Sequence, residues 1–171
     1  MIQMLSIRPA RPLDTDAILA INQAGRPGVY PLDPETIAEV SVSAPYFVVA
    51  ELDGQVVGYM IGYGAHDVCE GDEFAWFQAH LPQFLYIDQI AVAATARRAR
   101  VGAQLYEHAA AFALARHMPA LVCEVNLDPP NPVSLQFHAR LGFREVGVLT
   151  AHDGRTVSLR QKDLAISEPP G

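Results

Sequence analysis

Lysine is almost missing from this chain. Lys162 is the one lysine among twelve Lys and Arg residues, set against nineteen Asp and Glu, and the net charge is −7. That balance lacks the basic footprint that general nucleic-acid binding requires, so no nucleic-acid partner is expected. Cysteine is scarce too: Cys69 and Cys123 stand alone, without CxxC spacing. They suit reduced thiols of a cytoplasmic protein better than a disulfide framework. His66 precedes Cys69 by three residues but has no second ligand pair, so no metal site is expected. No apolar run approaches the ~20 residues of a membrane-crossing helix, and the first residues lack a signal-peptide pattern, so no membrane association is expected. Repeats, linkers and low-complexity stretches are absent as well. Half the residues are hydrophobic, 18% are charged and the mean hydropathy is +0.13, the composition of a globular chain. Its 171 residues fit one domain, 1–171, with a core large enough to need no staples.

The stretch 85–106, LYIDQIAVAATARRARVGAQLY, organises the rest. Leu85, Ile87, Ile90 and Val92 read as a buried strand. Arg97, Arg98 and Arg100 follow, and from Val101 the period changes: Val101, Leu105, Ala109 and Phe112 share one helical face. Strand, basic turn and helix start together make an anion seat, because first-turn N–H groups have no intrahelical acceptor. Gly102 lacks a Cβ where a phosphate would approach the backbone. An acidic body with a local arginine cluster suits an anionic cofactor and a cationic or neutral second substrate.

Two motifs carry a family resemblance. Arg97-Arg98-Ala99-Arg100-Val101-Gly102 resembles the cofactor loop Arg/Gln-x-x-Gly-x-Gly/Ala of the GNAT acyltransferases, with Arg100 in place of the first glycine. Asn131-Pro-Val-Ser134-Leu-Gln-Phe137-His138-Ala-Arg-Leu-Gly142-Phe143 resembles that family's Asn-x-x-Ala-x-x-Phe-Tyr-x-x-x-Gly-Phe, with His138 in place of tyrosine. The match is closest to a bacterial branch carrying PPNPxSxxFHxxxGF. The resemblance implies an α/β fold of the GNAT type: a central mixed sheet with a splayed parallel strand pair, flanked by helices. It also implies acetyl-CoA as co-substrate, with homodimerisation left open; at position 100 an arginine in αR conformation could still present its N–H where the family has glycine.

Local signals give the order of elements. A short strand at 4–8 ends at Pro9, and a helix from Asp14 carries Ile18, Ile21 and Ala24 and stops at Gly25. Residues 25–31 are too rich in Pro and Gly for a regular element. Asp33-Pro34-Glu35 is a helix start, with cap, first-turn proline and acid in place. Asp53-Gly54 and Asp153-Gly154 each join two strands, 46–51 with 55–64 and 143–150 with 155–163. The segment 66–83 reads equally as a lid, with Glu70, Asp72 and Glu73 beside aromatic faces, or as a short amphipathic helix burying Phe74 and Phe77. A strand at 84–93 and another at 120–126 form a parallel pair, which demands a right-handed helical crossover between them. Asn131 caps the next helix, whose core face is Val133, Phe137 and Leu141.

Candidate site residues follow from chemistry and resemblance together. Asp88 interrupts an apolar strand, where an unpaired carboxylate is costly, and matches a position where some family members place a catalytic acid or histidine. It reads either as the general base or as a structural group bonded to Tyr86 or to backbone. Glu124, in the partner strand, is the second candidate base; its alternative is an ion pair with an arginine. His138 reads as an imidazolium acid toward the CoA thiolate, or as a residue capping the cleft edge. By resemblance, Ile90, Ala91 and Val92 would pair with the pantetheine arm, Arg97, Arg98, Arg100, Val101, Gly102 and Ala103 would hold the pyrophosphate, and Asn131 and Ser134 would contact the cofactor arm. The last two also read as helix-capping groups. Tyr30, Trp76 and Tyr86 are candidates for contact with a small-molecule or peptide amine. The implied activity is direct N-acetyl transfer in a ternary complex; a non-catalytic acyl-CoA sensor on the same fold is the alternative.

Overall fold

A computed structural model describes residues 3–165, the side chain of Arg98 excepted. The described residues form seven strands and five α-helices, in the order β1 (Leu5–Pro9), α1 (Thr15–Ala24), α2 (Pro34–Ser43), β2 (Tyr46–Leu52), β3 (Gln55–Gly64), α3 (Asp72–His80), β4 (Leu85–Val92), α4 (Val101–Ala115), β5 (Ala120–Asp128), α5 (Pro132–Arg140), β6 (Arg144–Thr150) and β7 (Thr156–Asp163). The hydrogen-bonded strand order is β1-β2-β3-β4-β5-β7-β6. β4 and β5 are parallel, and the pairs β1–β2, β2–β3, β5–β7 and β6–β7 are antiparallel. This is the mixed sheet with one parallel pair that the resemblance implies.

The chain divides into two compact units. The first holds residues up to Tyr63 together with Ile87–His108, so it carries β1 to β3, most of β4 and the first two turns of α4. Local chemistry explains its elements. The Asp33 carboxylate accepts from the Thr36 N–H at 2.7 Å and caps α2. Asp53 and Gly54 take φ of 51° and 83°, the left-handed pair of a two-residue hairpin. At the β1 end, Arg8 donates to Asp14 (2.8 and 2.9 Å) and to Glu51 (2.7 Å), which holds the Asp14 carboxyl below its usual range.

The second unit holds Gly64–Tyr86 and the described residues from Ala109 onward. The register of β4 with β5 is Leu85↔Leu121 and Tyr86↔Val122; from Ile87 the strand counts with the first unit. β5 pairs along its other edge with β7 from Ala120↔Asp163 to Asp128↔Thr156. The segment 66–83 takes the amphipathic form: α3 buries Phe74 and Phe77, which meet Phe84 and Tyr86 edge-on or tilted. Its acids pair within the unit, Glu73 with Arg155 at 3.1 Å and Asp72 with His152 at 2.7 Å, so the lid reading is not what the structure adopts.

Two helix faces differ from expectation. The buried stripe of α4 runs through Val101, Leu105, Ala109 and Ala113, whereas Phe112 is half-buried beneath the Arg116 guanidinium, 3.8 Å from the ring centroid. In α5 the inward face is turned by about one residue: Val133 is 77% exposed and His138 is 5% exposed. The apolar spacing of Val133, Phe137 and Leu141 is satisfied by half-burial of the last two, and the histidine takes the centre of the face.

Candidate active site

The first unit contains the turn expected to seat an anion. After Val92, the Ala93 N–H donates to the Val57 carbonyl at 2.7 Å, and a 3-10 turn covers Ala94–Ala99. Arg100 then adopts φ 57° and ψ 30°, the left-handed region, and not the αR conformation expected of an arginine. The reason is positional: the chain must reverse between the 3-10 turn and α4, and the family's glycine supplies that backbone without strain. Arg100 supplies it at a cost of about 1–2 kcal/mol, the usual left-handed penalty for an L-residue. Within α4 the Gln104 N–H bonds the Arg100 carbonyl at 3.1 Å. The N–H groups of Val101, Gly102 and Ala103 therefore precede the helical ladder and carry the positive end of the helix dipole. Val101 and Leu105 are fully buried and anchor that turn, and Gly58 lets β3 approach it. A Cβ at position 58 would lie 3.1 Å from the Ala91 oxygen and 3.3 Å from Val101 Cγ1. Arg97 and Arg100 are exposed at the same corner. First-turn amides beside two guanidinium groups fit the phosphates of a nucleotide cofactor.

Beside this seat, β4 carries Asp88, Gln89, Ile90, Ala91 and Val92; Gln89 is buried and the other four are half-buried. Gln89 belongs to a polar cluster that the sequence does not announce. Asn22 Nδ2 donates to the Tyr30 carbonyl at 2.7 Å and to the Tyr59 hydroxyl at 3.0 Å, and the Leu32 N–H donates back to Asn22 Oδ1 at 2.9 Å. The Tyr59 hydroxyl donates to Gln89 Oε1 at 2.7 Å, and Gln89 Nε2 reaches the Tyr30 carbonyl at 3.3 Å. Burial, with the nearby Asp88 charge adding to it, pushes the Tyr59 phenol up to about 12, so it remains a donor. The Tyr30 ring is 54% exposed. A lone amide on the apolar face of Ile18 and Ile21 is the one signal that could have exposed Asn22.

In the second unit the structure brings Tyr86 and Glu124 together. The buried Tyr86 hydroxyl donates to Glu124 Oε2 at 2.7 Å. Glu124 thus has a phenol donor among its partners. A carboxylate held by a phenol at this distance is a charge-assisted pair. Trp76 is half-buried, its ring stacked on His80 with centroids 3.7 Å apart.

The start of α5 brings Asn131, Ser134 and His138 together. Asn131 Oδ1 accepts from the Ser134 N–H at 3.2 Å, the capping geometry expected of it. His138 Nδ1 lies 2.7 Å from the Ser134 carbonyl and 3.3 Å from Ser134 Oγ. A carbonyl only accepts, so Nδ1 carries the hydrogen and Nε2 is the basic atom of the neutral ring. Burial lowers the imidazole pKa, and the Arg160 charge lowers it further. Burial among Phe137 and Phe143, whose rings stand at T-shaped angles to the imidazole with centroids 5.3 and 5.2 Å away, favours its uncharged form. Asp88 and Tyr30 lie in the first unit with the anion seat; Tyr86, Trp76, Glu124 and the Asn131–Ser134–His138 group lie in the second.

Comparison with known proteins gives this arrangement a family. The Acetyltransferase (GNAT) family matches residues 16–143. The chain is 30% identical over 151 residues to an N-alpha-acetyltransferase of Sulfurisphaera tokodaii, covering 84% of this chain and 82% of that protein. In fold it is similar to Ard1 from Thermoplasma volcanium, with TM-score 0.77 and 20% identity over 95% of this chain and 99% of that one. It is also similar to yncA of Salmonella typhimurium, a putative acetyltransferase solved with its cofactor acetyl-CoA, with TM-score 0.68 and 19% identity over 98% of each chain. With the strand order and these matches in agreement, the chain belongs to the GNAT acetyltransferase family and is an acyltransferase.

Proposed function

We propose that this protein transfers acetyl from acetyl-CoA to the α-amine of a peptide or small molecule, directly, in a ternary complex. The observation that carries the reading is the helix start at Val101–Ala103 behind the left-handed Arg100, with Arg97 and Arg100 beside it. These groups would hold the pyrophosphate; Arg98 would join them, although its side chain lies outside the described residues. The backbone of Ile90, Ala91 and Val92 would pair with the pantetheine, and Asn131 and Ser134 would contact the cofactor arm.

Acceptor chemistry follows from proton balance. The amine nitrogen bonds to the acetyl carbon, the carbon–sulfur bond breaks, one proton leaves the nitrogen and one reaches the thiolate. An α-amine, with pKa ~7.7–8.0, is partly neutral at working pH, whereas a lysine amine near 10.4 is almost wholly charged. An α-amine therefore needs only a weak base, and Asp88 suits that task. Glu124, through its bond to Tyr86, is the second carboxylate assigned to proton transfer. His138 would take part through Nε2, accepting a proton first and returning it to sulfur. The S. tokodaii relative, named for α-amine transfer, supports this choice of acceptor. Tyr30 and Trp76 are assigned to acceptor contact.

The test is thiol release from acetyl-CoA across peptides with free α-amines, lysine ε-amines, polyamines and amino acids. Turnover with α-amine peptides well above hydrolysis, reduced by Asp88→Asn, is the expected result. The neutral, buried His138 in place of the family's tyrosine favours a second reading, a non-catalytic acyl-CoA sensor. Hydrolysis-level rates on every amine, unchanged by Asp88→Asn and His138→Phe, would establish that reading instead.

A further inference from the structure

The cluster of Asn22, Tyr59 and Gln89 is fully buried or nearly so, and its members come from α1, β3 and β4. Its bonds run to the backbone at both ends of one short stretch: the Tyr30 carbonyl accepts from Asn22 and Gln89, and the Leu32 N–H donates to Asn22. One side-chain amide thus offers residues 30–32 the donor and acceptor that a neighbouring strand would offer. A segment that contains Pro31 and follows Gly25, Pro27 and Gly28 has little regular structure of its own to hold it. The anchor on the far side is Gln89, next in sequence to Asp88, and the charge of Asp88 is felt at the Tyr59 hydroxyl.

We propose that Asn22, Tyr59 and Gln89 are positioning residues that fix the backbone of Tyr30 beside β4 and thereby set the enzyme's affinity for its acceptor amine. The inference rests on the acetyltransfer reading and on Tyr30 as an acceptor contact. The cluster keeps the half-exposed ring at a constant distance from the strand that bears Asp88. The cofactor seat at 97–103 shares none of these bonds, so its affinity is independent of them.

Steady-state kinetics with acetyl-CoA and an α-amine peptide test this on Asn22→Ala, Gln89→Met, Tyr30→Ala and the double variants. The expected result is an amine KM raised about 5- to 30-fold by Asn22→Ala, the range for losing its two bonds to the backbone of residues 30 and 32, with the acetyl-CoA KM within about twofold. In the Tyr30→Ala background neither Asn22→Ala nor Gln89→Met should raise the amine KM further. Additive effects, or equal losses toward both substrates, would mean a purely structural cluster and overturn the proposal. Should Asn22→Ala fail to fold, Gln89→Met, which keeps chain length and removes the amide's bonds to Tyr59, Asn22 and the Tyr30 carbonyl, decides on the same criteria. Wild-type enzyme that turns over no amine defeats the acetyltransfer reading itself, and the inference with it; wild-type turnover with additive variants defeats the inference alone.

Discussion

Replacing Arg100 by glycine should make the protein more stable while weakening its grip on acetyl-CoA. The residue sits at φ 57° and ψ 30°, where an L side chain costs about 1–2 kcal/mol. Glycine removes that strain but adds about 0.5–1 kcal/mol of unfolded-state freedom. Because the Arg100 side chain is exposed, little packing is lost. The net gain is about 0.5–1 kcal/mol, and for a chain of this size each kcal/mol raises Tm by about 2–4 °C, so the shift should be about 1–4 °C upward. The same change removes one guanidinium from the anion seat, which should weaken acetyl-CoA about 2- to 5-fold, the worth of one surface ion pair, and flatten the salt dependence of binding. Arg100→Ala separates the two effects: it loses the charge and keeps the strained backbone. Calorimetric melting and titration calorimetry on both variants give the four numbers. If Arg100→Ala is stabilised as much as Arg100→Gly, the left-handed strain is not the cause; if neither variant loses affinity, the arginine does not face the cofactor.

Three further outcomes follow from the geometry. Gly102→Glu should abolish acetyl-CoA binding, by placing bulk and a like charge against the phosphates, while circular dichroism and Tm stay near wild type; unchanged calorimetric affinity would refute the seat. Tyr86→Phe removes the phenol donor from the half-buried Glu124 and should cost about 0.5–1.5 kcal/mol in urea unfolding, whereas Glu124→Gln, which can still accept that bond, should cost less. Burial holds His138 and His108 below the ordinary histidine value of ~6.5, so their neutral forms favour the folded state. Their contribution is complete above pH ~6.5 and is lost as pH falls through the lowered folded values, so the urea midpoint should drop on acidification. His138→Gln should reduce that drop, and an unchanged slope would show that His138 does not titrate there. His152 has the opposite sign, since Asp72 raises its pKa, and its contribution fades as pH rises through the raised value.

Elements whose ends are written in local chemistry are legible in the chain. Asp53-Gly54 and Asp153-Gly154 turn the two hairpins, Asp33 and Asn131 cap their helices, and a β-branched run hands over to a 3.6 period at Val101. The strand order needed the resemblance, because pairing between distant segments leaves no local trace. Three features stayed hidden for distinct reasons. The handedness of Arg100 depends on the geometry of a chain reversal, and its residue type argued the other way. The rotation of α5 sets His138 inward between Phe137 and Phe143, a tertiary arrangement that apolar spacing does not announce. The Asn22–Tyr59–Gln89 cluster joins residues 37, 30 and 67 positions apart, each unremarkable where it stands. The protonation state of His138 likewise could not be read without its burial.

Because Asn22 grips only main-chain atoms of residues 30 and 32, the identities of the side chains between Gly25 and Leu32 are not written into the grip. A segment fastened in that manner can exchange its chemistry from one descendant to another while the frame beneath it remains the same. Libraries varied at Val29, Tyr30 and Pro31 over a constant Asn22 and Gln89 are accordingly the place to search for altered acceptor preference, and the cofactor corner need not be touched.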